Sequence, residues 1–254
     1  MEGVVVFLVI ALLIVVVSLA GLAVVRRLIP PSRLAGHTDV AGYIYAVIGV
    51  LYAVILAQVV IAAWGEYQDA STAAAKEANA VLNLQRLSRE WSDADRQAVR
   101  AGLTDYAQHV VMVEWPKLEQ GDLIAVVDPA PTDELWRIYD TIGASPAGSS
   151  PTFAASLDQL DNLDEARRTR FLLAAFGLPQ IMSATLLIGG AITVGFSYFF
   201  AVSNRWVHVL LTGSLAVMVS LLLLLEYQLE TPFEGIDAIE PTAMRVVIQE
   251  LERQ

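Results

Sequence analysis

The sequence contains no cysteine, which excludes disulfides, zinc–thiolate sites and cysteine nucleophiles. Basic residues are scarce as well, since 16 lysines and arginines stand against 27 acidic residues and form no clear patch. Because nucleic-acid binding requires basic side chains that neutralise phosphates, we expect no nucleic-acid partner.

Catalytic signatures are also missing. The sequence has no motif of the serine hydrolases, the nucleotide-binding loops or the zinc proteases. The three histidines, His37, His109 and His208, are not paired at the spacing of metal ligands. We therefore predict that the protein is not an enzyme and that it holds neither a cofactor nor a metal.

Apolar side chains are abundant and make up 56% of the sequence. Four runs are each long enough to cross about 30 Å of hydrocarbon as a helix. These runs are residues 3–25, 42–64, 180–200 and 206–225. No ionisable residue lies in the middle of any run, which argues against a proton-coupled transporter.

The order of these runs predicts an all-α membrane protein, with four transmembrane helices arranged as two hairpins that flank a helical extramembrane domain. We divide the chain into a first hairpin (1–65), a helical domain (66–179), a second hairpin (180–225) and an acidic C-terminal tail that packs on the domain (226–254). An even number of crossings places both termini and the domain on one side of the membrane. The positive-inside rule does not decide which side, because basic residues near the two surfaces are equal in number.

The second apolar run continues as a helical pattern beyond the membrane, through Tyr67, Ala74, Val81 and Trp91. We therefore predict one long helix that leaves the membrane and enters the helical domain. The domain segment carries 18 acidic and 10 basic residues, a net charge of −8.

One face of this helix stands out inside the membrane. Val54, Gln58, Ile61 and Gly65 share it, and Ala57 lies beside them. The Gln58 amide is near mid-membrane, where an unpaired amide is costly. It either faces a pore or cavity, or bonds to a neighbouring helix.

The third run contains three glycines, Gly189, Gly190 and Gly195. Ala191 and Gly195 form a pair of small residues four apart, a pattern that favours close helix contacts. Gly189–Gly190 is also the one candidate break for the discontinuous helix of a secondary transporter, a weaker hypothesis.

Three arginines, Arg167, Arg168 and Arg170, precede the third run. They could bind anionic lipid headgroups near the membrane surface. They could instead pair with the acidic faces of the helical domain, and we favour this second interpretation.

Several segments resemble a bacterial bestrophin-like family of unknown function and, more distantly, bestrophin channels. They are residues 58–90 (QVVIAAWGEYQDASTAAAKEANAVLNLQRLSRE), Arg167 with Arg170 before Pro179, and Pro232–Phe233–Glu234–Gly235. The resemblance implies a homo-oligomeric ion channel, pentameric as in bestrophins, whose second helices surround an apolar neck. It also implies a bacterial inner-membrane protein whose domain and termini are cytoplasmic, with copies of itself, the lipid bilayer and small inorganic ions as partners. By this alignment the neck would be lined by Val54, Ala57, Gln58 and Ile61, with Glu66 and Asp69 in the vestibule.

Departures from bestrophins leave the selected ion open. Asp69, Ala70 and Ser71 stand where bestrophins have basic and aromatic residues, and Glu234 intervenes before Gly235. The family resemblance favours anions, whereas an acidic domain repeated around an axis would concentrate cations. Few acids follow Gly235, which argues against a calcium site in the tail. The alternative function is a membrane-anchored oligomeric scaffold or sensor whose domain binds a partner without conduction.

Overall fold

The computed structural model describes residues 2–122 and 128–253, and no strand occurs in these two ranges. In chain order the α-helices are α1 Glu2–Leu28, α2 Pro31–Leu34, α3 Thr38–Leu87, α4 Asp93–His109, α5 Trp115–Glu119, α6 Ala130–Gly143, α7 Pro151–Ala175, α8 Gln180–Ser197, α9 Arg205–Glu230 and α10 Thr242–Arg253. Short 3₁₀ turns cover Ala35–His37, Ser88–Glu90 and Pro146–Ser149, and a π-helical turn covers Val110–Glu114. Segments within α1, α3, α8 and α9 are long and apolar enough to cross a membrane. The predicted all-α class with four membrane helices is therefore confirmed.

The chain divides into two compact units. The membrane unit comprises Met1–Gly65 and Leu178–Glu230, and the helical unit comprises Glu66–Gly177 and Thr231–Gln254. Helix α3 contributes to both units, since it runs for 50 residues without interruption. The tail boundary that we predict at residue 226 falls inside α9, which continues to Glu230.

Helix ends follow ordinary capping chemistry. The Ser92 Oγ accepts a hydrogen bond from the Asp95 N–H at 3.2 Å and so caps α4, as the Ser-x-x-Asp pattern predicts. The Ser150 Oγ caps α7 in the same way, by accepting from the Phe153 N–H at 3.1 Å. The Asn204 Oδ1 accepts from the N–H of Trp206 at 2.9 Å and thereby starts α9 after a tight turn.

In the membrane unit, α1 and α8 pack against α9. The Tyr52 ring of α3 lies over the Gly189–Gly190 pair of α8, close enough that a Cβ on either glycine would meet it. The buried residues of this core are Tyr52, Leu56, Val59, Leu186, Val194, Ala216 and Val219. Helix α8 is continuous through the two glycines, so the membrane-helix break that we considered for a transporter is absent.

In the helical unit, α4 packs against α6 and α10. Small residues on α3 let its neighbours approach closely, since Ala70, Ala74 and Ala78 are all buried. The larger buried residues of this core include Val81, Leu84, Leu103, Leu135, Leu160, Leu163, Phe233, Val247 and Leu251.

Candidate functional site

The membrane part of α3 has two opposite faces. Tyr52, Leu56, Val59 and Ala63 are buried, and their spacing of four, three and four residues places them on one side of the helix. This side packs on the other helices of the membrane unit.

The predicted neck residues lie on the opposite side. Val54 and Ile61 are 56% and 65% exposed, and Ala57 and Gln58 are exposed as well. Nothing within 4 Å would meet a Cβ placed on Gly65, which continues the same face. Residues 2–122 and 128–253 therefore leave this face uncovered, for contact with lipid, with water or with further copies.

The predicted vestibule residues follow on the same helix. Asp69 is exposed and Glu66 is half-buried. By the helical period Asp69 continues the face of Gln58 and Gly65, whereas Ala70 turns into the core of the helical unit.

Two of the three predicted arginines are buried and lie together in the helical unit. The Arg170 Nε donates to Glu77 Oε2 at 2.7 Å, and its Nη2 donates to Glu114 Oε2 at 2.5 Å. The Arg167 Nη2 donates to Glu114 Oε1 at 2.6 Å and to the Asp128 carbonyl at 2.6 Å. These four side chains, from α3, the π turn and α7, form a closed set of charges that we call the buried ion cluster.

Burial and charge act against each other in this cluster. Burial by itself lowers the pKa of Arg170, but Glu77 and Glu114 outweigh it and hold this pKa above its ordinary value. Tyr106 donates its hydroxyl to Glu77 at 2.7 Å. Burial and the two glutamates raise the pKa of Tyr106 well above its ordinary value, so this hydroxyl keeps its proton.

Aromatic rings enclose the cluster. The Arg170 guanidinium lies 4.9 Å from the centroid of Trp115 and 4.6 Å from that of Phe171. Trp115 in turn meets Phe233 edge-on at 5.7 Å and donates its Nε1–H to the Ile239 carbonyl at 2.9 Å. Arg170 and Phe233, which belong to two motifs far apart in sequence, thus meet at the same tryptophan.

Arg168 has a different environment from its two neighbours. Its side chain is 71% exposed, and its Nη2 lies 2.9 Å from Asp164 Oδ2 one turn earlier on α7. Such exposed pairs contribute little to stability.

The sequence analysis identified neither glutamate of the cluster, although the helical spacing gives a signal that Glu77 is buried. It occupies the one position missing from the buried series Ala70, Ala74, Val81 and Leu84. Glu114 left a similar signal, because it follows the buried residues Leu103, Ala107 and Val110 at spacings of four, three and four residues.

Further polar contacts missed by sequence reasoning lie in the membrane unit. The Arg26 Nη1 lies 2.8 Å from His208 Nδ1, and the opposite ring nitrogen lies 3.0 Å from the Ser197 carbonyl. The Ser183 hydroxyl lies 3.0 Å and 2.9 Å from carboxylate oxygens of Glu226 and Glu230. In residues 2–122 and 128–253 no three histidine, aspartate or glutamate side chains are placed to hold a metal ion.

Comparisons with known proteins agree with this architecture. No curated protein matches the chain. A bacterial bestrophin homologue from Klebsiella pneumoniae has a similar structure, with a TM-score of 0.72 and 14% identity over 97% of each chain. Two point variants of that homologue give TM-scores of 0.77 and 0.76 at 15% and 16% identity, over 97% of this chain and 98% and 99% of theirs.

These structural similarities establish a shared fold, and a sequence match establishes the family. The profile of the bestrophin-like domain matches residues 12–244, which include most of α1 and all of the helices from α2 to α9. The resemblance seen in the sequence is confirmed, and the chain belongs to the bestrophin-like family.

Proposed function

We propose that the protein is an oligomeric ion channel in which copies of α3 surround a central axis. The face with Val54, Ala57, Gln58 and Ile61 forms the apolar neck. Membership of the bestrophin-like family supports self-association in a membrane, and we propose five copies in a bacterial inner membrane, with the helical unit and both termini in the cytoplasm.

One observation carries this proposal, the exposure of Gln58 on the side of α3 opposite the packed side. An amide facing hydrocarbon leaves its N–H and C=O groups unpaired, at a cost of several kcal/mol. Water in a pore, or the same amide on a neighbouring copy, would satisfy these groups. The exposed face is therefore more stable at an oligomer axis than against lipid.

The mouth of this path would be acidic. Asp69 is exposed directly below the neck face on α3, and the segment 66–181 carries a net charge of −8. Repeated in each copy, this charge attracts cations and repels anions at short range. We therefore expect the vestibule to concentrate cations.

We expect Ile61→Ala to raise single-channel conductance severalfold, because a smaller side chain widens and wets the apolar neck. Gln58→Leu should lower conductance, since it removes the polar group from the same ring. The measurement is current through purified oligomers in planar bilayers, over a series of voltages and salts. Ile188→Ala on α8 is the matched control, because Ile188 is 61% exposed and lies outside the proposed path.

Absence of ion flux from well-folded oligomers, in every salt and at every voltage, would contradict the channel and favour the scaffold. An equal effect of Ile188→Ala would contradict the assignment of the neck to α3. Reversal potentials in potassium chloride gradients would test the expected preference for cations.

A further inference from the structure

The helical unit is strongly acidic, but one of its pockets is lined by three arginines. The pocket has a volume of about 390 Å³ and lies at the corner between α3 and α4. Its lining residues are Gln85, Ser88, Arg89, Arg96, Gln97 and Arg100. We call it the arginine pocket.

Helical spacing on both sides of a rigid corner brings these residues together. Gln85, Ser88 and Arg89 are three and four residues apart on the last turns of α3 and its 3₁₀ extension, while Arg96 and Arg100 are four apart on α4. Trp91 fixes the corner, since it is buried and donates its Nε1–H to Thr152 Oγ1 at 3.0 Å.

The charge of the pocket is unusual for this domain. The segment 66–181 has 10 basic residues, and three of them converge here, while no carboxylate is among the described lining residues. A carboxylate outside the lining, Asp93, holds Arg96 at 2.6 Å. The floor is polar and buried, because the side chains of Gln85 and Ser88 are 6% and 1% exposed. The pocket therefore presents the N–H donors of three guanidinium groups above a polar floor.

We propose that the arginine pocket binds a phosphate-bearing anion. Guanidinium groups present paired N–H donors that match the oxygens of a phosphate, and several of them around one pocket favour a multiply charged group. The phosphate can belong to a small solute such as pyrophosphate or to the headgroup of an anionic lipid. The pocket lies on the helical unit and does not depend on the proposed ion path.

The test uses the purified full-length oligomer and isothermal titration calorimetry with inorganic phosphate and with pyrophosphate. We expect the double variant Arg89→Gln/Arg100→Gln to weaken pyrophosphate binding at least about tenfold, through the loss of charge-assisted hydrogen bonds. The single variant Arg100→Gln should show a smaller loss. The matched control is Arg137→Gln/Arg168→Gln, which removes two exposed arginines that pair with Glu134 and Asp164 outside the pocket. It should leave the Kd unchanged.

A second arm distinguishes the source of the phosphate. Co-sedimentation with vesicles of phosphatidic acid in phosphatidylcholine, against phosphatidylcholine alone, measures binding of a lipid headgroup. Recruitment that depends on Arg89 and Arg100, without pyrophosphate binding, would identify the lipid as the source. The proposal is overturned if neither pyrophosphate, inorganic phosphate nor phosphatidic acid vesicles bind, or if the pocket variants bind them as well as the control does. Equal thermal unfolding of all variants shows that a loss of binding is not a loss of fold.

Discussion

Replacing Arg170 with methionine is expected to unfold the helical unit under conditions in which the unchanged protein is stable. Arg170 is fully buried and bonds to Glu77 and Glu114, which are buried too. Without it, Arg167 is the remaining arginine of the buried ion cluster for the two carboxylates of Glu77 and Glu114. Breaking a buried ion pair by removing one partner costs about 3–5 kcal/mol, and a whole domain is stable by only about 5–15 kcal/mol.

The measurement is thermal unfolding of the detergent-solubilised protein, together with its resistance to protease. Arg168→Met is the control on the same helix, because Arg168 is exposed and pairs with Asp164 one turn earlier. Exposed pairs of this kind contribute about 0–1 kcal/mol, so this variant should unfold close to the unchanged protein.

Two further variants separate the charge of Arg170 from its packing. Arg170→Lys keeps the charge but loses the forked donors that reach both glutamates, so its stability should be intermediate. Arg170→Met combined with Glu77→Gln removes the excess negative charge and should recover part of the loss. A double variant as unstable as Arg170→Met would show that the aromatic packing around Arg170, and not the charge balance, dominates.

The helical architecture was predictable because it follows from local periodicity. Apolar runs that are long enough to span the membrane as a helix predict membrane helices directly. The pattern after Trp64 has the period of one face of a helix. The continuous α3, the cap at Ser92 and the absence of strands in the described ranges all depend on neighbours in sequence.

The buried ion cluster could be predicted only in part, because its partners are distant in sequence. Arg167 and Arg170 are three apart and share a helix face, which predicts pairing with acidic groups but not with which ones. Glu77 and Glu114 lie 93 and 56 residues from Arg170. The helical period places Glu77 and Glu114 on buried faces, but it does not specify which distant charges they meet.

The role of the neck face could also be predicted only in part, for a different reason. Periodicity identifies the side of α3 with Val54, Gln58 and Ile61, and this side is exposed in the chain. Apolar side chains that face lipid and apolar side chains that line a neck have the same composition, so Val54 and Ile61 do not separate the two environments, and the amide of Gln58 is the group that favours the neck.

Gly189→Ala is expected to destabilise the membrane unit by about 1–3 kcal/mol, the usual cost of overpacking a close contact. A Cβ at this position would lie 2.6 Å from Cδ2 and 2.9 Å from Cε2 of Tyr52. The ring cannot move away easily, because it also packs on Gly190, whose own Cβ would lie 3.0 Å from the Tyr52 hydroxyl and 2.9 Å from Cγ1 of Val219. The two glycines thus let α8 approach α3 and α9 closely.

The measurement is thermal unfolding of the solubilised protein after its dissociation into single chains, with Gly195→Ala on the same helix as the control. Nothing lies within 4 Å of a Cβ at Gly195, so this change should leave the stability of the chain unaltered. Tyr52→Leu should relieve the clash, and the double variant with Gly189→Ala should be more stable than the sum of the single effects predicts. A Gly189→Ala protein as stable as the control would contradict the assignment of this contact.

Gly195→Ala also tests a role for the Ala191–Gly195 pair, whose spacing predicts close helix contacts. Among the residues that the structure describes, none lies within 4 Å of a Cβ at Gly195, whereas Gly189 and Gly190 make the close approach. If the pair acts at all, it therefore acts between copies. Gly195→Ala should then shift the oligomer toward smaller species, measured by native mass spectrometry, while the unfolding temperature of the separated chain is unchanged. If the oligomer is unaltered, the Ala191–Gly195 pair makes no contact between copies that matters for assembly. Gly189–Gly190 is then the glycine contact that α8 requires.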